Sequence, residues 1–159
     1  MQNVYKHKNV TWIDLESPTK EEIRNVINDY RVHPLIAEEL LVPTLRPKVD
    51  LYNDCIYLIL HFPCVTHSHS KSHSNEIDFV ICKDYIITAH YESLDPIHQF
   101  SKIFEVNSIL DKSDMGEHGG YMLFYLLREL YKNSMEQLFD IDKNLKNIED
   151  RIFRGEEHA

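Results

Sequence analysis

Residues 32–62, VHPLIAEELLVPTLRPKVDLYNDCIYLILHF, set out a helix, a basic turn and a buried strand in one unbroken order. Pro34 stands where a helix tolerates proline, in the first turn, because the N–H it lacks has no partner there. Leu35, Ile36, Leu40 and Leu41 supply the apolar side of that helix, and Pro43 and Pro47 stop it. Around Arg46-Pro47-Lys48 the pattern changes: Val49 and Leu51 alternate with Lys48, Asp50 and Tyr52, which predicts a half-buried strand. Asn53-Asp54 is a turn, and the apolar run Cys55 to Leu60 predicts a central strand covered on both faces.

Outward from this stretch the same reading continues. Val10 to Leu15 is the first predicted strand. Ser17 or Thr19 can cap the helix that follows, with Glu21 and Glu22 in its positively polarised first turn and Ile23, Val26, Ile27 and Tyr30 on one face. Beyond the polar run 66–75, Ile77 to Cys82 and Tyr85 to His90 are two more strands across a Lys83-Asp84 turn. Leu94 to Val106 carries Ile97, Phe100, Ile103 and Phe104 at helical spacing. Five strands with short later turns predict an α/β (α+β) fold, a mixed, largely antiparallel sheet with helices on its faces. Asp111 to Gly120 is an internal boundary, dividing a domain over 1–115 from a long amphipathic helix over 116–159. In that helix Phe124, Tyr131, Leu138, Leu145 and Ile152 hold one heptad position and Leu127, Ile141 and Ile148 another, with Ser134 as the polar exception. Leu123, Leu126, Leu130, Met135 and Phe139 widen the stripe in its first half only. The expectation is a first half docked on the domain and a second half seeking a narrow, helical partner.

The order of these features resembles the cytoplasmic N-terminal domain of the CorA family of magnesium channels. The features are Trp12-Ile13-Asp14-Leu15 with Ser17-Pro18-Thr19-x-Glu21-Glu22, then His33-Pro34-Leu35-x-x-Glu38-Glu39, Arg46-Pro47-Lys48-Val49-x-x-Tyr52, the apolar strand, and the pair 79–81 and 86–90. The resemblance covers roughly residues 11 to 155. It implies a sensing and assembly domain at the cytoplasmic face of a membrane, a homopentamer in the full-length channel, and magnesium as the ion, with cobalt also accepted. The family's two membrane helices and its Gly-Met-Asn pore mouth do not occur in these residues, so the chain is expected not to conduct ions by itself. The resemblance also brings a partner for the long helix, the later stalk helices of the family.

Composition is compatible with this. The chain has 159 residues, 43% hydrophobic and 27% charged, enough for one core. Its longest apolar run, Cys55 to Phe62, is strand-sized and contains His61, too short for a membrane span. MQNVYKHKNVTW has no apolar core region or cleavage site, so a cytosolic location is expected. A net charge of −9 argues against nucleic acid, which demands a basic face, and suits cations better. Cys55, Cys64 and Cys82, an odd set without C-x-x-C spacing, read as small buried hydrophobes in a reducing compartment.

Three chemistries are open. In HFPCVTHSHSKSHS, an extended chain places His67, His69 and His73 on one face, near His61 and Cys64, where neutral imidazoles can bind Zn2+ or a similar transition metal; the alternative is a solvated hairpin loop. The zinc possibility admits a zinc-transporting relative of the same superfamily, or a free-standing metal-binding scaffold. Regulatory Mg2+ held by carboxylates between neighbouring domains comes from the resemblance alone. Counting from Arg46-Pro47-Lys48 puts Thr66 at or near the family's carboxylate position, and threonine supplies no charge. The site is then built differently, from Glu76, Asp78 or the acidic long helix, or is lost. Catalysis is not expected, since the chain has no nucleophile elbow and no phosphate-cradling loop, with three of its four glycines in 116–120. Arg46-Pro47-Lys48 is expected to pair with Glu38 or Glu39, and His33 and Trp12 to pack.

Overall fold

In the computed structural model the described residues are 1–44, 46–52, 54–64, 73–111 and 114–154, the side chains of 64, 73 and 74 excepted. The elements run β1 (Gln2–His7), β2 (Val10–Glu16), α1 (Lys20–Tyr30), α2 (Pro34–Glu39), β3 (Lys48–Tyr52), β4 (Cys55–Cys64), β5 (His73–Ile81), β6 (Tyr85–His90), α3 (Asp95–Leu110), a 3-10 turn (Asp114–Gly116) and α4 (Gly119–Phe153). One six-stranded sheet has the order β1-β2-β6-β5-β4-β3. Every neighbouring pair is antiparallel except β2 and β6, which run parallel with Thr11 opposite Tyr85.

The sheet is mixed and mostly antiparallel, as the sequence implies, and a long helix follows it. Its first strand, however, is β1 and not Val10–Glu16. Gln2–His7 is polar, half-exposed and joined to β2 through Lys8 at φ 51, a left-handed turn made without glycine. The β4–β5 hairpin is also longer than expected, since strand pairing reaches Cys64 opposite His73 and takes in part of the polar run.

The helices cover the two faces, giving three layers. On one face α1 and α2 bury Ile23, Val26, Ile36, Ala37 and Leu40 against Ile13, Leu15, Tyr57, Ile59 and Ile87. On the other, α3 and α4 bury Phe100, Phe104, Met122, Leu126 and Leu130 against Trp12, Ile77, Phe79 and Ile86, and Met115 of the 3-10 turn joins them. Local signals fix the helix starts. Thr19 caps α1 in a reciprocal capping box with Glu22, and Ser17 instead takes a left-handed φ of 44. His33 caps α2 by accepting from the Leu35 N–H at 3.3 Å.

Two burial expectations fail for one reason. β3 is the sheet edge, and its register, Leu51 opposite Ile56 and Val49 opposite Leu58, turns both apolar side chains toward the α3/α4 face beyond the reach of those helices. Val49 and Leu51 are 62% and 80% exposed, while Lys48, Asp50 and Tyr52 lie half-buried toward α2. β4 is accordingly sealed unevenly: Tyr57 and Ile59 are fully buried on one face, while on the other Ile56 is exposed, Leu58 and Leu60 are half-buried and Phe62 is buried. Leu35 of α2 is exposed as well, because the six-residue helix ends at Glu39 and turns only Ile36, Ala37 and the C-cap Leu40 inward.

Candidate functional site

His67 and His69 lie outside the described residues, as does Thr66. His73 opens β5 opposite Cys64, and its side chain is likewise outside them. Among the described residues no group of three His, Cys, Asp or Glu side chains could hold a metal ion. His61, the fourth histidine of that stretch, belongs to a different arrangement, built on β5.

β5 continues as Glu76-Ile77-Asp78-Phe79-Val80-Ile81, so its period of two sends Ile77, Phe79 and Ile81 to the α3/α4 core and Glu76, Asp78 and Val80 beneath α2. Both carboxylates are buried there, Asp78 completely. Glu76 accepts twice from the Thr44 N–H, at 2.8 and 2.7 Å, and stands 3.2 Å from His61 Nε2, which also lies 3.0 Å from the Thr44 carbonyl oxygen. Tyr57 donates to Asp78 Oδ2 at 2.9 Å, and the Tyr91 hydroxyl lies 3.5 Å from the same oxygen and donates to the Glu39 carbonyl at 3.3 Å. Burial pushes the Asp78 carboxyl up to about 8, against the Tyr57 hydrogen bond and with help from the charge and hydrogen bond of Glu76. Burial and the same carboxyl also push the Tyr57 and Tyr91 hydroxyls up, so both remain donors. At neutral pH Asp78 is therefore a buried acid that keeps its proton beside Glu76. Glu76 and Asp78 were candidates for a cation site shared between domains; they point into their own domain instead and are engaged by Thr44 and Tyr57. The sequence signal for this network was two acids two residues apart in an otherwise apolar strand. Above it, Lys48 pairs with Glu39 at 2.6 Å and with Asp50 at 2.8 Å, as Arg46-Pro47-Lys48 implies, and lies over the Tyr57 ring.

A second buried network sits on the opposite face. Trp12 Nε1 donates to Thr88 Oγ1 at 2.9 Å, Thr88 donates to Asp14 Oδ1 at 2.6 Å, and His90 Nε2 lies 3.3 Å from the same oxygen. His90 Nδ1 faces the Glu92 carbonyl at 2.6 Å, while Nε2, which has no hydrogen-bond partner, stands at ion-pair distance from Asp14. Burial alone lowers the His90 pKa, but Asp14 and the Glu92 carbonyl outweigh it and the net direction is upward. Trp12 is a packing residue, as expected, and is also hydrogen-bonded.

At one end of the sheet an open cleft of about 890 Å³ lies between the α1–α2 corner and the β3–β4 and β5–β6 turns. Tyr30, His33, Tyr52 and Tyr85 line it together with Cys55 and Cys82. These two cysteines form a disulfide, which corrects the expectation of free, reduced thiols. Their pairing follows from register: Ile56 stands opposite Ile81, so Cys55 faces Cys82 with Cα atoms 4.4 Å apart. A separation of 27 residues gives no hint of this.

The long helix α4 docks through Gly119, Met122, Leu126 and Leu130. Most of the heptad residues lie off the docking face: in the first half Leu127 packs against the core, while Phe124 and Tyr131 are 59% and 61% exposed, Tyr131 touching the Phe62 ring edge-on. From Leu138 onward every described residue of α4 is exposed, including Leu138, Ile141, Leu145, Ile148 and Ile152. Its 35 residues span about 52 Å at 1.5 Å each. Among the described residues no helix is long and apolar enough to cross a membrane.

A family model described as CorA-like Mg2+ transporter protein matches residues 7–159. The magnesium transporter ALR2 of Saccharomyces cerevisiae is 22% identical over 148 residues, covering 89% of this chain and 16% of its own length. The cobalt/magnesium transport protein CorA of Thermotoga maritima is 19% identical over 151 residues, covering 92% of this chain and 41% of its own length. The chain thus spans less than half of either relative. In fold it is similar to the soluble domain of CorA from Methanocaldococcus jannaschii, with a TM-score of 0.76, 16% identity, and coverage of 92% of this chain and 56% of that one.

Proposed function

Because the chain belongs to the CorA-like Mg2+ transporter family, we propose that it is the cytoplasmic assembly and gating domain of a divalent cation channel, working as a homopentamer with Mg2+ as its main ion and Co2+ also accepted. The observation that carries this reading is α4. A helix that leaves its domain with Leu138, Ile141, Leu145, Ile148 and Ile152 uncovered is a connector, since an apolar stripe of that length in water favours association with another helix. Gating then follows from linkage. Cations bound between neighbouring domains favour one arrangement of the assembly, and their loss releases it. In this chain no described cluster supplies the ligands by itself, which suits a site completed by a neighbouring subunit. A zinc-transporting relative is the second reading, supported by the density of His67, His69 and His73 in the sequence.

Two measurements test this. Light scattering on the chain should show self-association that the Leu138→Lys, Leu145→Lys and Ile152→Lys variant abolishes; a monomer at all concentrations would refute the role given to α4. Calorimetric titration with Mg2+ and with Zn2+ separates the ions. Tight zinc binding lost on replacing His67, His69 and His73 by alanine would favour the zinc reading, whereas Mg2+ heat that appears only in the associated form supports the magnesium one.

A further inference from the structure

We propose that the Cys55–Cys82 pair is a thiol–disulfide exchange site that opens on the cleft and passes its redox state to the start of α4. The inference rests on the pair and its surroundings and does not depend on the transport reading. The bond spans 27 residues of sequence and restrains the unfolded chain as any cross-link of that reach does. It is not sealed away, however: Cys55 is half-buried on the cleft wall, 3.6 Å from the Tyr85 hydroxyl, and Cys82 is 6% exposed beside it. Exposed disulfides are the labile, exchange-competent kind, whereas sealed structural ones resist reduction.

The surroundings of Cys82 give the bond a readout. Its N–H donates to the Tyr85 carbonyl at 3.0 Å, closing the β5–β6 turn. Within that turn the Lys83 carbonyl accepts from the Gly119 N–H at 2.8 Å and the Asp84 carbonyl accepts from the Thr11 N–H at 3.0 Å. Gly119 packs so closely on the Cys82 carbonyl that a Cβ there would overlap it. The first residue of α4 is therefore seated on the residue that holds the disulfide.

Exchange proceeds in two steps. The thiolate of a small-molecule thiol attacks Sγ of Cys55, the more accessible sulfur; the S–S bond breaks, and Cys82 leaves as a thiolate that takes a proton from water. Cys55 now carries a mixed disulfide. A second small-molecule thiolate attacks the outer sulfur of that bond, releasing an oxidised small-molecule disulfide and the Cys55 thiolate, which is protonated in turn. The protein gains two electrons and two protons, and two thiols become one disulfide. Reduction removes the tether across the end of the ladder and loosens the turn on which Gly119 sits.

The test uses a Cys64→Ser chain, so that only the two cysteines of interest remain. After oxidation of the folded protein, peptide mass spectrometry should find Cys55 linked to Cys82. Reduced glutathione without denaturant should open the link, and oxidised glutathione should form a mixed disulfide with the Cys55 thiol of Cys82→Ser, releasing reduced glutathione, whereas Cys55→Ser takes up far less on Cys82. Hydrogen exchange over 82–85 and 119–122 should rise about fivefold or more on reduction. The proposal is overturned if the folded protein shows no cross-link, if opening requires denaturant, if glutathione prefers Cys82, or if exchange at the start of α4 does not change.

Discussion

Replacing Asp78 by asparagine should stabilise this protein, and more so as the pH rises. Asp78 is fully buried and its carboxyl is held up at about 8, whereas an unfolded chain titrates it near 3.9. A folded pKa raised above the unfolded one means that the native state binds the extra proton. Stability from this group is complete below about pH 4 and falls as the pH rises toward 8, by at most about 1.4 kcal/mol per pH unit. Over the roughly three units from 3.9 to 7 the ceiling is about 4 kcal/mol. The Asp78→Asn side chain keeps an oxygen to accept from Tyr57 and places its N–H2 where Oδ1 stands without a hydrogen-bond partner, without the cost of binding a proton. Allowing for imperfect amide geometry, the expected gain is about 2 kcal/mol at pH 7 and near zero at pH 4. Urea unfolding followed by the fluorescence of Trp12, the single tryptophan and fully buried, measures it at pH 4, 5.5, 7 and 8. A stability difference that does not change with pH, or that grows more unfavourable to the variant on the alkaline side, refutes the reasoning.

Three further outcomes are expected. Asp14→Asn strands the buried His90 and should cost about 3 kcal/mol near pH 6; because the His90 pKa is raised in the fold, the penalty shrinks as the pH climbs past it, which denaturation at pH 6 and 9 would show. Gly119→Ala forces a Cβ onto the Cys82 and Tyr85 carbonyl oxygens and should cost about 2 kcal/mol, while Gly120→Ala next to it meets only the His118 ring and should stay within about 0.5 kcal/mol; paired urea melts decide. Leu126→Ala, fully buried, should lose about 3 kcal/mol and lower Tm by about 10 °C, whereas Ile148→Ala, 52% exposed, should leave the melting of the monomer nearly unchanged in calorimetry.

What the sequence made legible was local. Thr19 with Glu22, and Pro34 after His33, mark helix starts because capping is satisfied within a few residues. The apolar alternation of Ile77, Phe79 and Ile81 likewise names a buried strand face. What it hid depends on position in the sheet. Val49 and Leu51 have the pattern of a half-buried strand, yet their burial is decided by whether a helix reaches their face of the edge strand, and none described does; α2 covers the opposite face. β1 is recognised only through its partner, since Gln2–His7 has little apolar pattern of its own. The candidate sites divide similarly. The Lys48–Glu39 pair could be inferred from a nine-residue spacing, but the facing of Cys55 and Cys82, and the descent of Glu76 and Asp78 beneath α2, are consequences of β4–β5 register that spacing does not encode.

The single parallel pairing of the sheet also dictates an order of assembly. β3 pairs with β4, β4 with β5 and β5 with β6, so this meander forms between strands consecutive in sequence and can begin as soon as each hairpin leaves the ribosome. β2 pairs in sequence only with β1; on its other side residue 11 must find residue 85, and the β1–β2 hairpin waits, with Trp12 uncovered, until β6 has been made. Contacts of that sequence separation close slowly. Tryptophan burial in a refolding experiment should therefore lag behind strand formation, and the waiting amino-terminal hairpin is the part of the nascent chain that most needs protection from aggregation.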